Sequence, residues 1–309
     1  MKIGFIGLGM MGRGMAANLQ KVGHDLVVHD LTRQAASQHL AKGATWAESP
    51  CAVAEACDIV FTSLPTPADV ETVGFGEQGL AAGFRKGAAW FDLSTNAVDV
   101  VRRLHERLAE QGVDFLDAPV SGGPAGAGSG KLAILVGGDK TVFDRCKPVL
   151  DSMGDQARYI GPIGAGTVAK LTHNLASATV AAVLAEIFSM GVKAGVEPVA
   201  LWEAIRQGAT GRQRTFDRLG ERFLAANYDQ PNFALRLLQK DVSLALQLGR
   251  EFNVPMRMCN LTLQDINEAL NRGWAGRDSH STMQLQWERS GLEPVSVPLE
   301  RIREIQAKG

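Results

Sequence analysis

The chain has 309 residues, 45% of them hydrophobic and 21% charged, with 32 basic against 33 acidic side chains and a formal net charge of −1. That length suits two domains, and so even a charge balance excludes an electrostatic footprint for nucleic acid or an anionic membrane surface. Cys51, Cys57, Cys146 and Cys259 form no C-x-x-C pair and the histidines no H-E-x-x-H, so reduced thiols and no structural metal are expected.

Ile3 to Ile6 is a short apolar run that reads as a buried strand. Lys2 and this run superficially resemble a secretory leader. However, Arg13 interrupts the pattern and no cleavage site follows, so a cytoplasmic protein is expected. The strand flows into Gly7-Leu8-Gly9-Met10-Met11-Gly12, then into a helix-compatible stretch, and the next apolar run, Leu26 to His29, ends at Asp30. Strand, G-x-G-x-x-G, helix, strand and terminal acid form the dinucleotide-binding signature. Gly7 permits the tight turn, Gly9 lets the backbone approach a pyrophosphate, and Gly12 lets helix and strand pack closely. Asp30 is placed to accept hydrogen bonds from ribose hydroxyls, which favours NAD over NADP, with Arg33 as the complication.

Strand and helix go on alternating. Asp58–Leu64 reads as a strand stopped by Pro65, Ala88–Asp92 as another, followed by Ser94-Thr95-Asn96 and a helix from about Val98 to Gln111, then a strand over Val113–Asp117. In a parallel, doubly wound sheet the strand ends form the ligand edge, so Leu64, Pro65, Ser94 and Thr95 should line the cofactor crevice. Ser94 and Thr95 also suit a helix cap. In Asp117-Ala-Pro-Val-Ser121-Gly122-Gly123-Pro124 the paired glycines allow amides to turn inward around an anion, with Ser121 adding a hydroxyl; a plain loop has the same composition. Gly126 to Gly130 reads as more loop, followed by strands at Lys131–Val136 and Tyr159-Ile160 around a helix over Lys140–Asp151.

After Gly161-Pro162 helical periodicity takes over: Thr167–Ala194, Pro198–Gln207, Asn232–Phe252, Met256–Arg272, Ser281–Arg289 and a short helix over Glu300–Ile305. The fold expected is α/β, a doubly wound N-terminal domain over 1–162 and an all-α domain over 163–309, bridged by the long helix that starts near Thr167. No run in it, Leu175 to Ala185 included, has the ~20 residues a membrane crossing needs. Lys170 and Asn174 lie four residues apart and so share a face of that helix, among small and apolar neighbours. A lysine held there is shifted toward its neutral form and suits proton transfer, while a lone helical lysine more commonly snorkels to solvent. Spacing alone makes Lys240-Asp241 a solvated pair.

Taken together, these stretches resemble the β-hydroxyacid dehydrogenase family, the group of 3-hydroxyisobutyrate dehydrogenase and tartronate semialdehyde reductase. Five motifs in order carry the resemblance: Gly7-x-Gly9-x-x-Gly12 running into Asn18-Leu19; Asp92-x-Ser94-Thr95; Asp117 to Gly123; Gly164-x-Gly166-x-x-x-Lys170-x-x-x-Asn174; and Lys240-Asp241. The resemblance implies a Rossmann domain, an all-helical second domain and a homodimer or homotetramer. It makes Lys170 the acid/base, and puts a substrate carboxylate on Ser121, Gly122 and Gly123 with Asn174 alongside. It brings Thr95 near the nicotinamide ribose and, against the spacing argument, Lys240 to the cofactor or substrate. The activity implied is reversible hydride transfer between a nicotinamide, NAD before NADP, and a small 3-hydroxy acid or its semialdehyde. A semialdehyde reductase using NADPH, an imine reductase, which generally lacks such a lysine, and a non-catalytic nucleotide-binding protein are the alternatives. His173 departs from the family pattern, and Arg212, Arg214, Trp274, Trp287 and Asp278 to Ser281 are further places where specificity can differ.

Overall fold

The computed structural model describes residues 2–193, 195–208, 219–251, 256–293 and 296–307. The chain divides into two compact units, Met1–Thr172 and His173–Gly309.

The first unit runs β1 (Lys2–Ile6), α1 (Gly12–Lys21), β2 (Asp25–His29), α2 (Ser37–Leu40), β3 (Thr45–Trp46), α3 (Pro50–Ala56), β4 (Ile59–Thr62), α4 (Pro67–Phe75), α5 (Leu80–Gly83), β5 (Ala89–Asp92) and α6 (Val98–Ala109). It continues with β6 (Asp114–Asp117), β7 (Val120–Ser121), α7 (Gly123–Ser129), β8 (Ala133–Gly137), α8 (Lys140–Leu150) and β9 (Gln156–Gly161), and ends inside the long α9 (Ala165–Lys193). The strand order β3-β2-β1-β4-β5-β6 is parallel throughout. It reverses direction after β1, which opens a crevice at the carboxyl edge. β8 then joins β6 antiparallel and takes β7 and β9 as further partners. Strands β4 and β5 are buried along their whole length, as continuous apolar runs covered on both faces must be. The Phe5, Phe61 and Phe91 rings stand side by side across β1, β4 and β5, with centroids 6.3 and 5.5 Å apart.

Register decides what reaches the carboxyl edge. His29, Ile6, Thr62, Asp92 and Asp117 are paired in one row across five strands. The residues that follow each of them therefore emerge together.

The stretch Gly126–Gly130, expected as loop, is mostly helix: α7 covers Gly123–Ser129, and Gly130 closes it in the left-handed conformation at φ 69°. Propensity argues against a helix with three glycines and a proline among its residues. Packing overrides it, because small residues let α7 come against α1. A Cβ at Gly14 would stand 2.8 Å from the Ala127 carbonyl carbon, and Asn18 Nδ2 donates to Ala127 O at 2.7 Å.

His39, wholly buried on the inner face of α2, has Nδ1 2.8 Å from Gln20 Oε1. Burial, helped by the nearby Lys42 charge, holds its pKa below the ordinary 6.5. The native state thus binds fewer protons than the unfolded chain as pH drops through 6.5, so stability is full above that value and declines below it. We expect thermal unfolding scans from pH 7.5 to pH 5 to show a falling Tm, with a shallower fall in His39→Gln. An identical slope in the variant removes His39 from the account.

In the second unit the regular structure of the described residues is helical apart from one isolated bridge, Ala234 to Asp278. After the continuation of α9 come α10 (Pro198–Gln207) and helices Leu235–Glu251, Arg257–Asn271, Thr282–Arg289 and Leu299–Ala307. Phe188, Trp202, Phe223, Trp287 and Ile302 form the centre of its core, so Trp287 is a packing residue. Asp278 is equally buried and holds the turn before the Leu235–Glu251 helix, accepting from the Asn232 amide at 3.0 Å and lying 2.9 Å from His280 Nδ1. Trp274 is half-buried, with the Arg272 and Arg277 guanidiniums over its ring. Arg212 and Arg214 lie outside the described residues. Among the described residues no helix is long and apolar enough to cross a membrane.

Candidate active site

The glycine loop between β1 and α1 is shaped for close approach. Gly7 has φ +90°, and a Cβ on it would stand 2.3 Å from Ser63 O, so only glycine fits beside the end of β4. A Cβ at Gly12 would lie 1.8 Å from Gly7 O, which is why α1 can start directly against the turn. At Gly9 nothing stands within 4 Å of that position, so the loop leaves open space where a phosphate would need it. Leu8 is buried and anchors the loop, Met11 is half-buried, and Met10 is exposed at its tip. The donor set, backbone amides at a helix start, suits a pyrophosphate.

Asp30, directly after β2, takes the Leu8 amide on Oδ2 at 2.7 Å and the Thr32 amide on Oδ1 at 3.1 Å. A carboxylate accepts about four hydrogen bonds, so capacity remains for ribose hydroxyls. Arg33 is turned toward Glu48, Nη1 to Oε1 3.4 Å, and toward the Trp46 ring, 5.7 Å from its centroid. Both members of that ion pair are largely exposed, so it is worth at most about 1 kcal/mol. Neither Glu48 nor Trp46 stood out in the sequence.

The next two strand ends are tied to each other. Ser94 Oγ accepts the Leu64 amide at 2.9 Å, so Ser94 braces the Leu64-Pro65 turn, and no side chain caps α6, which begins after Ala97. Leu64 and Thr95 are half-buried and Pro65 is exposed at this edge.

The start of α9 is pinned to the same edge by a residue to which the sequence motif assigned no role. Asp117, at the end of β6, accepts the Gly164 amide at 2.8 Å and the Thr167 amide at 2.6 Å. Burial pushes its carboxyl above the usual range while those amide bonds pull the other way. Gly166 is required here, since a Cβ would meet Leu135 O at 2.1 Å. Lys170 follows in the second turn of α9 and is 9% exposed, against the snorkelling alternative. Ser121 is half-buried at the end of β7, and Gly122 and Gly123 have φ +137° and +62°. Nothing stands within 4 Å of a Cβ position on Gly123.

In the second unit Asn174, on α9, and Lys240-Asp241, on the Leu235–Glu251 helix, come together. Asn174 Nδ2 donates to Asp241 Oδ2 at 2.5 Å, and Lys240 Nζ lies 3.0 Å from Asp241 Oδ1. Asp241 is 2% exposed, which corrects the solvated pair expected from spacing. A carboxylate only accepts, so it orients the Asn174 side chain with its NH₂ group toward Asp241. His173 Nδ1 lies 3.2 Å from the Asn174 carbonyl oxygen, on the exposed side.

Comparison with known proteins agrees with this geometry. Residues 2–161 match the NAD binding domain of 6-phosphogluconate dehydrogenase, and residues 164–286 the NAD-binding of NADP-dependent 3-hydroxyisobutyrate dehydrogenase. The chain is 38% identical over 296 residues to 2-(hydroxymethyl)glutarate dehydrogenase of Eubacterium barkeri, covering 96% of this chain and 97% of that one. It is also 38% identical over 250 residues to 2-hydroxy-3-oxopropionate reductase of Escherichia coli, covering 81% and 85%. Among solved structures, Mycobacterium tuberculosis 3-hydroxyisobutyrate dehydrogenase with L-serine superposes with a TM-score of 0.83 at 28% identity, over 92% of this chain and 98% of that one. With a nucleotide-shaped glycine turn, a buried lysine and relatives that align along nearly its whole length, the chain belongs to the β-hydroxyacid dehydrogenase family and is an NAD(P)-dependent oxidoreductase acting on hydroxyl groups.

Proposed function

We propose that the chain oxidises a small 3-hydroxy acid reversibly with NAD, using Lys170 as the acid/base. The observation that carries this is the burial of Lys170 on a helix whose first amides are tied by Asp117 to the carboxyl edge of the sheet. Bound nicotinamide supplies the hydride acceptor or donor. Lys170 takes the hydroxyl proton in oxidation and returns it in reduction. Ser121 and the amides of Gly122 and Gly123 hold the carboxylate; for Asn174 and Lys240, in the second unit, the family resemblance supports roles in binding substrate and cofactor. Gly7 to Gly12 cradle the pyrophosphate, Asp30 the adenine ribose, and Leu64, Pro65 and Thr95 the nicotinamide half.

3-Hydroxyisobutyrate, 2-(hydroxymethyl)glutarate and L-serine share a CH₂OH group on the carbon that bears a carboxylate, and 2-hydroxy-3-oxopropionate is the matching aldehyde. That shared unit defines the substrate class proposed here. The mixed surface charge, the free cysteines and the resemblance support a cytoplasmic homodimer or homotetramer. The deciding assay follows nicotinamide absorbance with 3-hydroxy acids and their semialdehydes against both cofactors. Turnover of a compound carrying that unit is expected, and none across the panel would sink the proposal.

Two substitutions probe its parts. Gly123→Val should raise KM for acids about tenfold or more, because its side chain enters the open space beside the carboxylate turn. The positive φ also strains the variant by ~1–2 kcal/mol, so Tm is measured alongside. An unchanged KM moves the anchor elsewhere. Asp30→Asn keeps an acceptor for the Leu8 amide but removes the charge that repels a 2′-phosphate. It should shift the ratio of kcat/KM for NAD over NADP about tenfold toward NADP. A wild type already faster with NADP would mean that Arg33 sets the preference.

A further inference from the structure

Asp92 ends β5 in the register row that forms the carboxyl edge, and it is 1% exposed. Its carboxyl group takes hydrogen bonds from three residues. Thr62 Oγ1 at 2.9 Å and the Ser94 amide at 3.1 Å meet Oδ1, and Asn96 Nδ2 at 2.8 Å meets Oδ2. Trp90 Nε1 can only donate, and it donates to Thr62 Oγ1 at 2.9 Å, which leaves the hydroxyl proton of Thr62 available to Asp92. Asn96 Oδ1 accepts the Ala97 amide at 2.8 Å, so its NH₂ group is the part that faces Asp92. Burial pushes the carboxyl pKa up, and the hydrogen bonds oppose it. Each of these hydrogen bonds is donated to the carboxyl group, so the shell suits the anion, and the donors are all neutral. None of the chemistry described above uses this charge.

Ser94, which donates one of those bonds through its amide, also braces the Leu64 turn through its hydroxyl. The buried anion therefore stands beneath the two turns assigned above to the nicotinamide half of the cofactor. The oxidised nicotinamide ring is positively charged and the reduced ring neutral. A fixed negative charge in a water-excluded setting acts on the first and not on the second.

We propose that Asp92 is an electrostatic positioning residue that favours the oxidised cofactor over the reduced one, while holding the Ser94–Asn96 turn. It rests on the reading that the cofactor lies along this edge, and binding of NAD⁺ and NADH to the wild type tests that reading first. If neither binds, that reading fails, and this inference with it.

With binding established, the dissociation constants of the two forms are measured by calorimetry or fluorescence titration on the whole chain, for wild type, Asp92→Asn, Asp92→Ser and Thr62→Val. Removing the charge should weaken NAD⁺ more than NADH, raising Kd(NAD⁺)/Kd(NADH) about threefold or more. Thr62→Val removes two hydrogen bonds, the one to Asp92 and the one from Trp90, but no charge, so it should move both constants together and leave the ratio in place. Asp92→Ser, smaller and with a hydroxyl that accepts, gives a second charge-free protein if Asp92→Asn fails to fold. If both constants shift equally in the Asp92 variants, or if Thr62→Val moves the ratio as far, Asp92 is purely structural and the proposal is overturned.

Discussion

Lys170→Ala is expected to lose about 10²- to 10⁴-fold in kcat while its cofactor dissociation constant stays within about twofold of wild type, because general acid–base catalysis typically contributes that much. The two halves of this expectation have different origins. Lys170 sits on α9, whose first turn is fixed by Asp117 through the Gly164 and Thr167 amides, whereas the glycine turn lies between β1 and α1. Truncating the side chain therefore leaves the nucleotide turn untouched. Lys170→Arg sharpens the test, since a guanidinium keeps the positive charge but does not give up its proton near neutral pH. Both variants should be slow if proton transfer is the role. If Arg restores kcat and Ala does not, Lys170 acts by charge alone, and if Ala keeps most of its kcat the lysine is structural.

Much of this site was legible because its signals are local. The turn at Gly7 to Gly12 needs glycines at fixed offsets, and the backbone requirement is visible in the letters themselves. The helix face that carries Lys170 and Asn174 follows from a spacing of four. What was not legible depends on pairs distant in the chain. Asp117 is a cap only because β6 ends beside the start of α9, 47 residues later for Gly164 and 50 for Thr167. Asp241 is an orienting carboxylate only because its helix lies against Asn174, 67 residues away in sequence. Spacing within one helix could not supply that partner, so it left Lys240-Asp241 as a solvated pair. The helical α7 was hidden for the opposite reason, since Gly and Pro are poor helix formers and the contact with Gly14 and Asn18 decides the matter. Asp92 combines both effects, since its three partners come from β4 and from the turn after β5, and only register brings them together.

A bulky residue at Gly9 should abolish useful cofactor binding without unfolding the protein. The three glycines of the turn differ in what a side chain would meet. At Gly7 it meets Ser63 O at 2.3 Å and at Gly12 it meets Gly7 O at 1.8 Å, both backbone atoms that cannot move aside cheaply. Gly12→Val is thus expected to destabilise the fold itself, by ~1–3 kcal/mol or more as overpacking does. At Gly9 no atom stands within 4 Å, so Gly9→Val fits the protein and occupies the space left for the pyrophosphate. Its Tm should match wild type within about 2 °C. Its Kd for NAD and for NADP should both rise about 10²-fold, since blocking the approach costs the contacts at the helix end, worth ~2.7 kcal/mol. Thermal scans and cofactor titration on the two variants separate the roles. If Gly9→Val binds the cofactor normally, the pyrophosphate does not cross this turn and the glycine spacing serves packing alone. If it unfolds with Gly12→Val, the open space at Gly9 is not open in the protein.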